Sequence, residues 1–335
     1  MKTIKAGIAG FGRIAGVHAD AWRSVTGAEL IAVCDDSAGA REKATSQGLR
    51  AYESVEDMLD AEELDAISIC TPPNSHEAAA IAALEQGVGV LCEKPLTTSQ
   101  TATVRVIERA QECQTPLQMA TKFRHVPEIQ FAKTAIEAGE IGDPLTFHIE
   151  FAGAVEMINR WNSVPSISGG GVIIDNGSHA LDLVNFVFGS LKKVQAVPIK
   201  SIQRLPVEDQ AMLLVEAGRG IFGEIVLSWS LSSSSDTYLS IRGSKGSIAL
   251  GWKGAYLQKD GKEAVKISNG YDKNYCMKLV TRKAIPILLA KLKFQNCPTG
   301  RKNMVGQEAT VLARVVLHDD PFLFYIRAYD RTCQH

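Results

Sequence analysis

The sequence predicts an α/β protein in two parts: a parallel-sheet domain over residues 1–121 and an α+β domain over residues 122–335. Three observations lead there. Short apolar runs alternate with amphipathic stretches through the first third of the chain, which implies a parallel sheet covered by helices. The first of these runs breaks into a glycine-rich turn. After residue 122 the alternation gives way to a helix and then to short strands joined by Gly-rich turns, the pattern of a meander. A chain of 335 residues also exceeds what a single core organises, so two domains follow from length as well.

In order, "IKAGIAG" (4–10), "ELIAVCD" (29–35), "AISICTP" (66–72) and "VGVLCEKP" (88–95) read as strands buried on both faces. Helical periodicity fills the intervals in "RIAGVHADAWRSV", "AREKATSQG" and "HEAAAIAALEQG". "SQTATVRVIERAQEC" and "PLQMATKF" add one more helix and strand. In the second part a helix in "VPEIQFAKTAIEAGEIG" precedes the strand "PLTFHIEFAG". "AMLLVEAG", "GIFGEIVLSWSL", "TYLSIRG" and "GSIAL" follow as strands. Both faces of "GIFGEIVLSWSL" are apolar, more than a solvated face needs, which predicts a subunit interface there. The final third holds helical stretches and an unusually apolar "PFLFYIRAY".

Charge and cysteine content narrow the function classes. The 36 Lys and Arg residues are scattered and balanced by 37 Asp and Glu, leaving no basic stripe for nucleic acid or anionic lipid. The seven cysteines are odd in number, far apart and without a C-x-x-C pair, so free thiols are expected and no metal site. With no signal-type apolar region at the start and no stretch able to span a bilayer, the expected location is cytoplasmic, without a membrane partner.

The first turn reads Gly10-Phe11-Gly12-Arg13-Ile14-Ala15. Gly10 allows the tight turn, Gly12 lets backbone approach a pyrophosphate, and Ala15 is small enough for helix to pack closely on strand. Asp35 ends the next strand, where a carboxylate would take the ribose 2′-hydroxyl of NAD. No arginine adjoins Asp35 to welcome a 2′-phosphate, so NAD is favoured over NADP, although Arg41 lies a little further on. Two other stretches fall at strand C-termini, where open α/β sheets bind ligands: "TPPNSH" (71–76) and "EKP" (93–95). At Lys94 two readings stand: a solvated charge on a strand end, or a group that acts on a ligand.

"DNGSHALD" within 169–189 places Asp175, His179 and Asp182 at helical spacing, ahead of a run that is apolar almost all round. A cap by Asp175 or Ser178 with a satisfied core histidine accounts for it. So does an active-site wall, because imidazole is the side chain suited to take a hydroxyl proton near neutral pH.

"GIAGFGRIAGVHADAW", "AVCD", "CTPPNSH", "CEKPLTTS" and "GGGVIIDNGSHALDLVNFVFG", in this order up to about residue 250, resemble the Gfo/Idh/MocA oxidoreductases. The resemblance implies a Rossmann domain followed by a domain built on an open, mostly antiparallel sheet. It also implies NAD(P)-dependent oxidation or reduction of a carbinol in a sugar, sugar derivative or cyclitol, by a homodimer or homotetramer assembled through that sheet. Position by position, it implies that Gly10, Phe11, Gly12, Arg13, Ile14, Ala15 and Asp35 bind the cofactor, together with Thr71, Pro72, Asn74, His76, Glu93 and Lys94. It further implies that Lys94 also meets the substrate, and that Asp175 and His179 bind substrate and move its proton. Arg124 in "KFRHVP" and Trp161 in "NRWN" match substrate-contacting positions, but His125 stands where an aromatic is usual. Two alternatives remain at this level: a sensor that binds NAD(P) without turnover, and an enzyme that uses a retained NAD for chemistry without net redox.

Overall fold

The structure, a computed structural model, describes residues 3–270 apart from Ser234, together with residue 285 and residues 316–317 and 324–325. The described run divides into two compact units, one ending at Lys122 and the other starting at Phe123.

The first unit begins with β1 (Ile4–Ala9), α1 (Arg13–Ser24), β2 (Ala28–Cys34), α2 (Ala38–Ser46), β3 (Arg50–Tyr52) and α3 (Val55–Ala61). It continues with β4 (Ala66–Ile69), α4 (His76–Glu85), β5 (Gly89–Cys92), α5 (Gln100–Glu112) and β6 (Leu117–Met119). The strands form a parallel sheet in the order β3-β2-β1-β4-β5-β6, the doubly wound Rossmann arrangement. The order reverses between β1 and β4, so the turns after these strands face the crevice where such sheets bind ligands. Strands β4 and β5 are buried at every residue, as continuous apolar runs in a parallel sheet require. One apolar cluster gathers round Trp22 and Ala15, a second round Met58 and Ile67. The Trp22 indole, fully buried, donates to Ser68 Oγ at 2.9 Å. Beyond the expected elements the chain adds β3 and α3. Three residues led by Arg50 carry too little pattern to reveal an edge strand, and α3 is capped by Ser54, whose side chain accepts from the Asp57 amide at 3.0 Å.

The second unit runs through α6 (Pro127–Glu137), β7 (Pro144–Ala152), a one-turn α7 (Pro165–Ser168) and α8 (Ser178–Phe188). Then come β8 (Lys193–Pro198), β9 (Gln210–Ala217), β10 (Ile221–Ser228), β11 (Thr237–Gly243), β12 (Gly246–Gly251), β13 (Ala255–Lys259) and β14 (Val265–Ser268). Its sheet has the order β14-β13-β12-β11-β7-β10-β9-β8, antiparallel except where β10 lies parallel to β7. Phe147, Ile149 and Phe151 alternate inward along β7, and Phe147 stacks on Phe188 of α8 with ring centroids 5.0 Å apart. A second aromatic group joins Phe123, Phe151, Tyr238 and Trp252; its closest pair, Tyr238 and Trp252, is 4.6 Å apart. The other face carries Leu214 on β9 and Phe222 on β10, 46% and 56% exposed, and Tyr256 on β13, 41% exposed, with the polar pair His148 and Glu224 between them.

Cys34, Cys70 and Cys92 are buried free thiols, and Cys113 is half-buried and free. The helical stretches and "PFLFYIRAY" expected near the end lie outside the described residues, except that Val316–Leu317 pairs antiparallel with Phe324–Tyr325. Among the described residues no helix is long and apolar enough to cross a membrane.

Candidate active site

In the first unit the glycine turn is a local consequence of sequence. Gly10 has φ +80°, and a Cβ there would lie 2.8 Å from the Thr71 amide nitrogen, so only glycine lets the turn after β1 pass the end of β4. Gly12 is the cap of α1 and has open space where a Cβ would stand, while Ala15 is fully buried against the sheet. Phe11 is buried, and Arg13 and Gly12 are exposed at the helix start. Asp35 is already engaged: one carboxylate oxygen accepts from the Phe11 amide at 2.6 Å, the other from the Ser37 amide at 2.9 Å. Arg41 donates to the main-chain carbonyls of Asp35 and Asp36 at 2.8 and 2.9 Å. This fastens the end of β2 to the glycine turn.

The turns after β4 and β5 are braced by two buried histidines. His76, which opens α4, has Nδ1 2.8 Å from the Pro95 carbonyl and Nε2 2.8 Å from the Thr71 carbonyl. Its ring therefore ties the two turns together. Burial holds its pKa below the ordinary value despite those carbonyls. His18 of α1 places Nε2 3.0 Å from Glu93 Oε1, and the other Glu93 oxygen accepts from the Lys94 amide at 3.2 Å. Burial by itself would push His18 down, but Cys70 and Glu93 outweigh it and raise it to about 10. Burial likewise pushes Glu93 up, yet His18 and Lys94 hold it below the usual carboxylate range. Lys94 is half-buried and joined to Pro95 by a cis peptide. Pro72 is extended and exposed, Asn74 lies exposed in the 3₁₀ turn Pro73–Ser75, and Thr71 is half-buried.

This unit fits a dinucleotide on its own geometry. The space beside Gly12 is open, no side chain caps the first amides of α1, and the Thr71 hydroxyl is buried with no hydrogen-bond partner among the described residues. An anion at the helix start and a polar group at Thr71 would satisfy both.

In the second unit Asp175 and His179 sit differently from a simple capped helix. Ile173–Gly177 form a π-helical turn that runs straight into α8, so Asp175 lies inside helix and not at a cap position. Ser178 Oγ donates to the Asp175 carbonyl at 3.0 Å, which also removes it as a cap. Single π turns inside helices often mark functional sites, because they re-aim the side chains around them. Both Asp175 and His179 are half-buried, and the His179 ring meets the edge of Phe123 at 5.5 Å and 76°. Asp182, buried, receives a forked grip from Arg124: Nε at 2.9 and 3.0 Å and Nη2 at 2.6 Å. The Arg124 guanidinium also lies 5.7 Å from the centre of the Phe186 ring. Arg124 thus grips the helix that carries His179. Trp161, 44% exposed, opens a 3₁₀ turn before α7.

Three further residues organise this region and were not singled out from the sequence. Glu208 accepts from the amides of Gly171 and Ile173, just ahead of Asp175. Asp209 accepts from the amides of Ile202 and Gln203 and from Ser230 Oγ; those bonds hold it below the ordinary range although burial pushes upward. Gln203 then accepts from the Met157 amide and donates to the Val155 carbonyl, both at 2.9 Å, fixing the loop that leads to Trp161. The only local signal was a pair of adjacent acids before a strand.

The family model described as "Oxidoreductase family, NAD-binding Rossmann fold" matches residues 4–121, and "GFO/IDH/MocA C-terminal domain" matches residues 129–249. A D-apiose dehydrogenase of Paraburkholderia graminis is 27% identical over 258 residues, covering 75% of this chain and 68% of that protein. The rhizopine catabolism protein MocA of Rhizobium meliloti is 28% identical, covering 56% of this chain and 58% of that protein. An inositol 2-dehydrogenase of Corynebacterium glutamicum is 28% identical, covering 67% and 66%. Among solved structures, an oxidoreductase from Agrobacterium radiobacter in complex with NAD+, L-tartaric acid and magnesium has TM-score 0.78 at 20% identity, covering 93% of each chain. A levoglucosan dehydrogenase in complex with NADH and levoglucosan has TM-score 0.79 at 18% identity, covering 92% of this chain and 94% of that one.

Proposed function

Because this chain belongs to the Gfo/Idh/MocA oxidoreductase family, we propose that it is an NAD-dependent dehydrogenase or reductase acting on a secondary alcohol or ketone of a sugar, sugar derivative or cyclitol. The observation that carries this reading is the pairing, in one chain, of a dinucleotide cradle with an acid-base helix start. Gly10 to Ala15, Asp35 and Thr71 make the cradle, and Asp175 and His179 ride on the π turn and α8.

In this reading Gly12 and the first amides of α1 receive the pyrophosphate, Asp35 takes the adenosine ribose, and Phe11, Arg13 and Ile14 line the turn. Thr71, Pro72, Asn74 and Glu93 shape the nicotinamide side, with His76 bracing it. NAD supplies the hydride acceptor. His179 takes the proton from the substrate hydroxyl, or returns it in reduction. Lys94 polarises the reacting oxygen, and Asp175 accepts from a neighbouring hydroxyl. Arg124 and Trp161 border the substrate. Residues 1–121 bind the cofactor, residues 122–335 bind substrate and partner subunits, and the cytoplasm is the compartment.

The test is a panel of D-apiose, inositol, levoglucosan and related polyols, with NAD and with NADP, followed by the absorbance of reduced nicotinamide. Net reduction with NAD on at least one compound, and weaker NADP use because Asp35 repels a 2′-phosphate, is the expected result. Cofactor binding without any turnover would favour the sensor, and substrate conversion without net absorbance change would favour a retained NAD.

The outer face of the second sheet, bearing Leu214, Phe222 and Tyr256, is the proposed contact between copies in a homodimer or homotetramer. Light scattering at micromolar concentration should give a multiple of the 36.2 kDa protomer mass, and a monomer alone would overturn this assembly.

A further inference from the structure

We propose that Glu208 is a positioning residue for the acid-base helix, holding the turn that carries Asp175 through the amides of Gly171 and Ile173; this rests on the reading of Asp175 and His179 above.

A helix start leaves amides without intrahelical partners, and they are usually met by a cap within the helix's own sequence. No side chain caps the π turn or α8 locally. The acceptor comes instead from a loop more than thirty residues further along the chain. Glu208 Oε1 lies 2.9 Å from the Gly171 nitrogen and 3.1 Å from that of Ile173, and the Val172 amide donates to the Glu208 main-chain carbonyl at 2.9 Å. Three consecutive amides are therefore held by one residue.

The contact is closely fitted. A Cβ on Gly171 would lie 2.0 Å from the Glu208 carbonyl oxygen, so glycine there is a condition of the approach. Burial raises the Glu208 carboxyl above its ordinary value although the amides pull it down. A half-buried carboxyl that desolvation disfavours as a charge yet that spans two amides is placed for geometry. The Asp175 amide donates to the Gly171 carbonyl at 3.0 Å, so the residue held by Glu208 is also the one from which the Asp175 turn is hung. Next to Glu208, Asp209 fixes the opposite side of the same loop through Ile202, Gln203 and Ser230, which keeps the anchor from drifting.

Glu208→Ala and Glu208→Gln separate this role from others. Glutamine keeps an oxygen that can accept from both amides; alanine does not. Amide hydrogen exchange, which needs no substrate, should show Gly171 and Ile173 losing protection in Glu208→Ala and keeping it in Glu208→Gln. On the most active compound of the polyol panel, Glu208→Ala should lower kcat by about 10- to 100-fold, the scale of a displaced catalytic group, with KM for NAD unchanged. Glu208→Gln should remain near wild type. Unaltered exchange in Glu208→Ala would overturn the proposal. So would a Glu208→Gln protein that keeps its protection but loses turnover, since the charge would then be used in the chemistry itself. A failure of the acid-base reading appears separately, as normal turnover in His179→Asn.

Discussion

Replacing His179 with asparagine should leave NAD binding intact and lower turnover by about 10²–10⁴-fold, the usual contribution of a positioned acid-base group. Asparagine is of similar breadth and keeps hydrogen-bonding atoms beside Phe123, but it has no titration near neutral pH. His179 stands at the head of α8, half-buried and edge-on to Phe123, and the helix behind it is fixed by the buried Arg124–Asp182 pair. The fold therefore does not depend on the imidazole alone. Calorimetric titration with NAD, a thermal melt and steady-state kinetics on the panel compound form the measurement. A protein that melts early but turns over normally would make His179 a packing residue. Lys94→Met, which removes the charge and keeps the stem, should also lower turnover, with a larger loss in substrate binding than in NAD binding.

The largest stability effect is expected at His18. Its ring is 1% exposed and paired with Glu93, and removing one partner of a buried pair typically costs about 3–5 kcal/mol because the other charge is left stranded. His18→Gln should therefore lower the melting temperature clearly at neutral pH. The sign of the pH dependence follows from the two shifts. His18 is raised from its ordinary 6.5 to about 10 in the fold, so its contribution is complete below 6.5 and is lost as pH climbs through about 10. Glu93 is lowered from 4.5, so its contribution is present above 4.5 and is lost as pH falls through its depressed value. The difference between wild type and His18→Gln should be widest between about pH 4.5 and 6.5, shrink as pH rises above 6.5, and level off above about pH 10. A difference that stayed constant from neutral to strongly alkaline pH would mean that His18 is held by packing, with no ion pair to Glu93. The pair also bears on function, since Glu93 accepts from the Lys94 amide; His18→Gln should raise the KM for substrate as well.

Much of the fold and of the candidate site could be read from sequence because those features are local. The glycine turn is one strand end and one helix start, and its requirements at Gly10, Gly12 and Ala15 are met within six residues. The buried strands β1, β4 and β5 announced themselves as apolar runs, and α8 as a helix apolar all round. "EKP" and "DNGSHALD" were legible as strings of reactive side chains in strand-end and helix-start positions. Edge strands β3, β8 and β14 were not, because short segments with charged residues or proline carry little periodicity.

Only the tertiary structure decided what each charge does. Asp182 reads as within reach of His179 three residues away, and the fold brings Arg124 to grip it across 58 residues. Asp175 and Ser178 read as caps, yet the acceptor for the helix start is Glu208, and the turn becomes π-helical with Asp175 inside it. His76, expected beside the cofactor, also bridges two turns, and His18 holds Glu93 from 75 residues away. The physical reason is common to all of these. Backbone preference and amphipathic period act over a few residues, and so are written in the order of the chain. A buried polar group must instead be satisfied by whatever the packing brings within about 3 Å, and that partner is chosen by the fold.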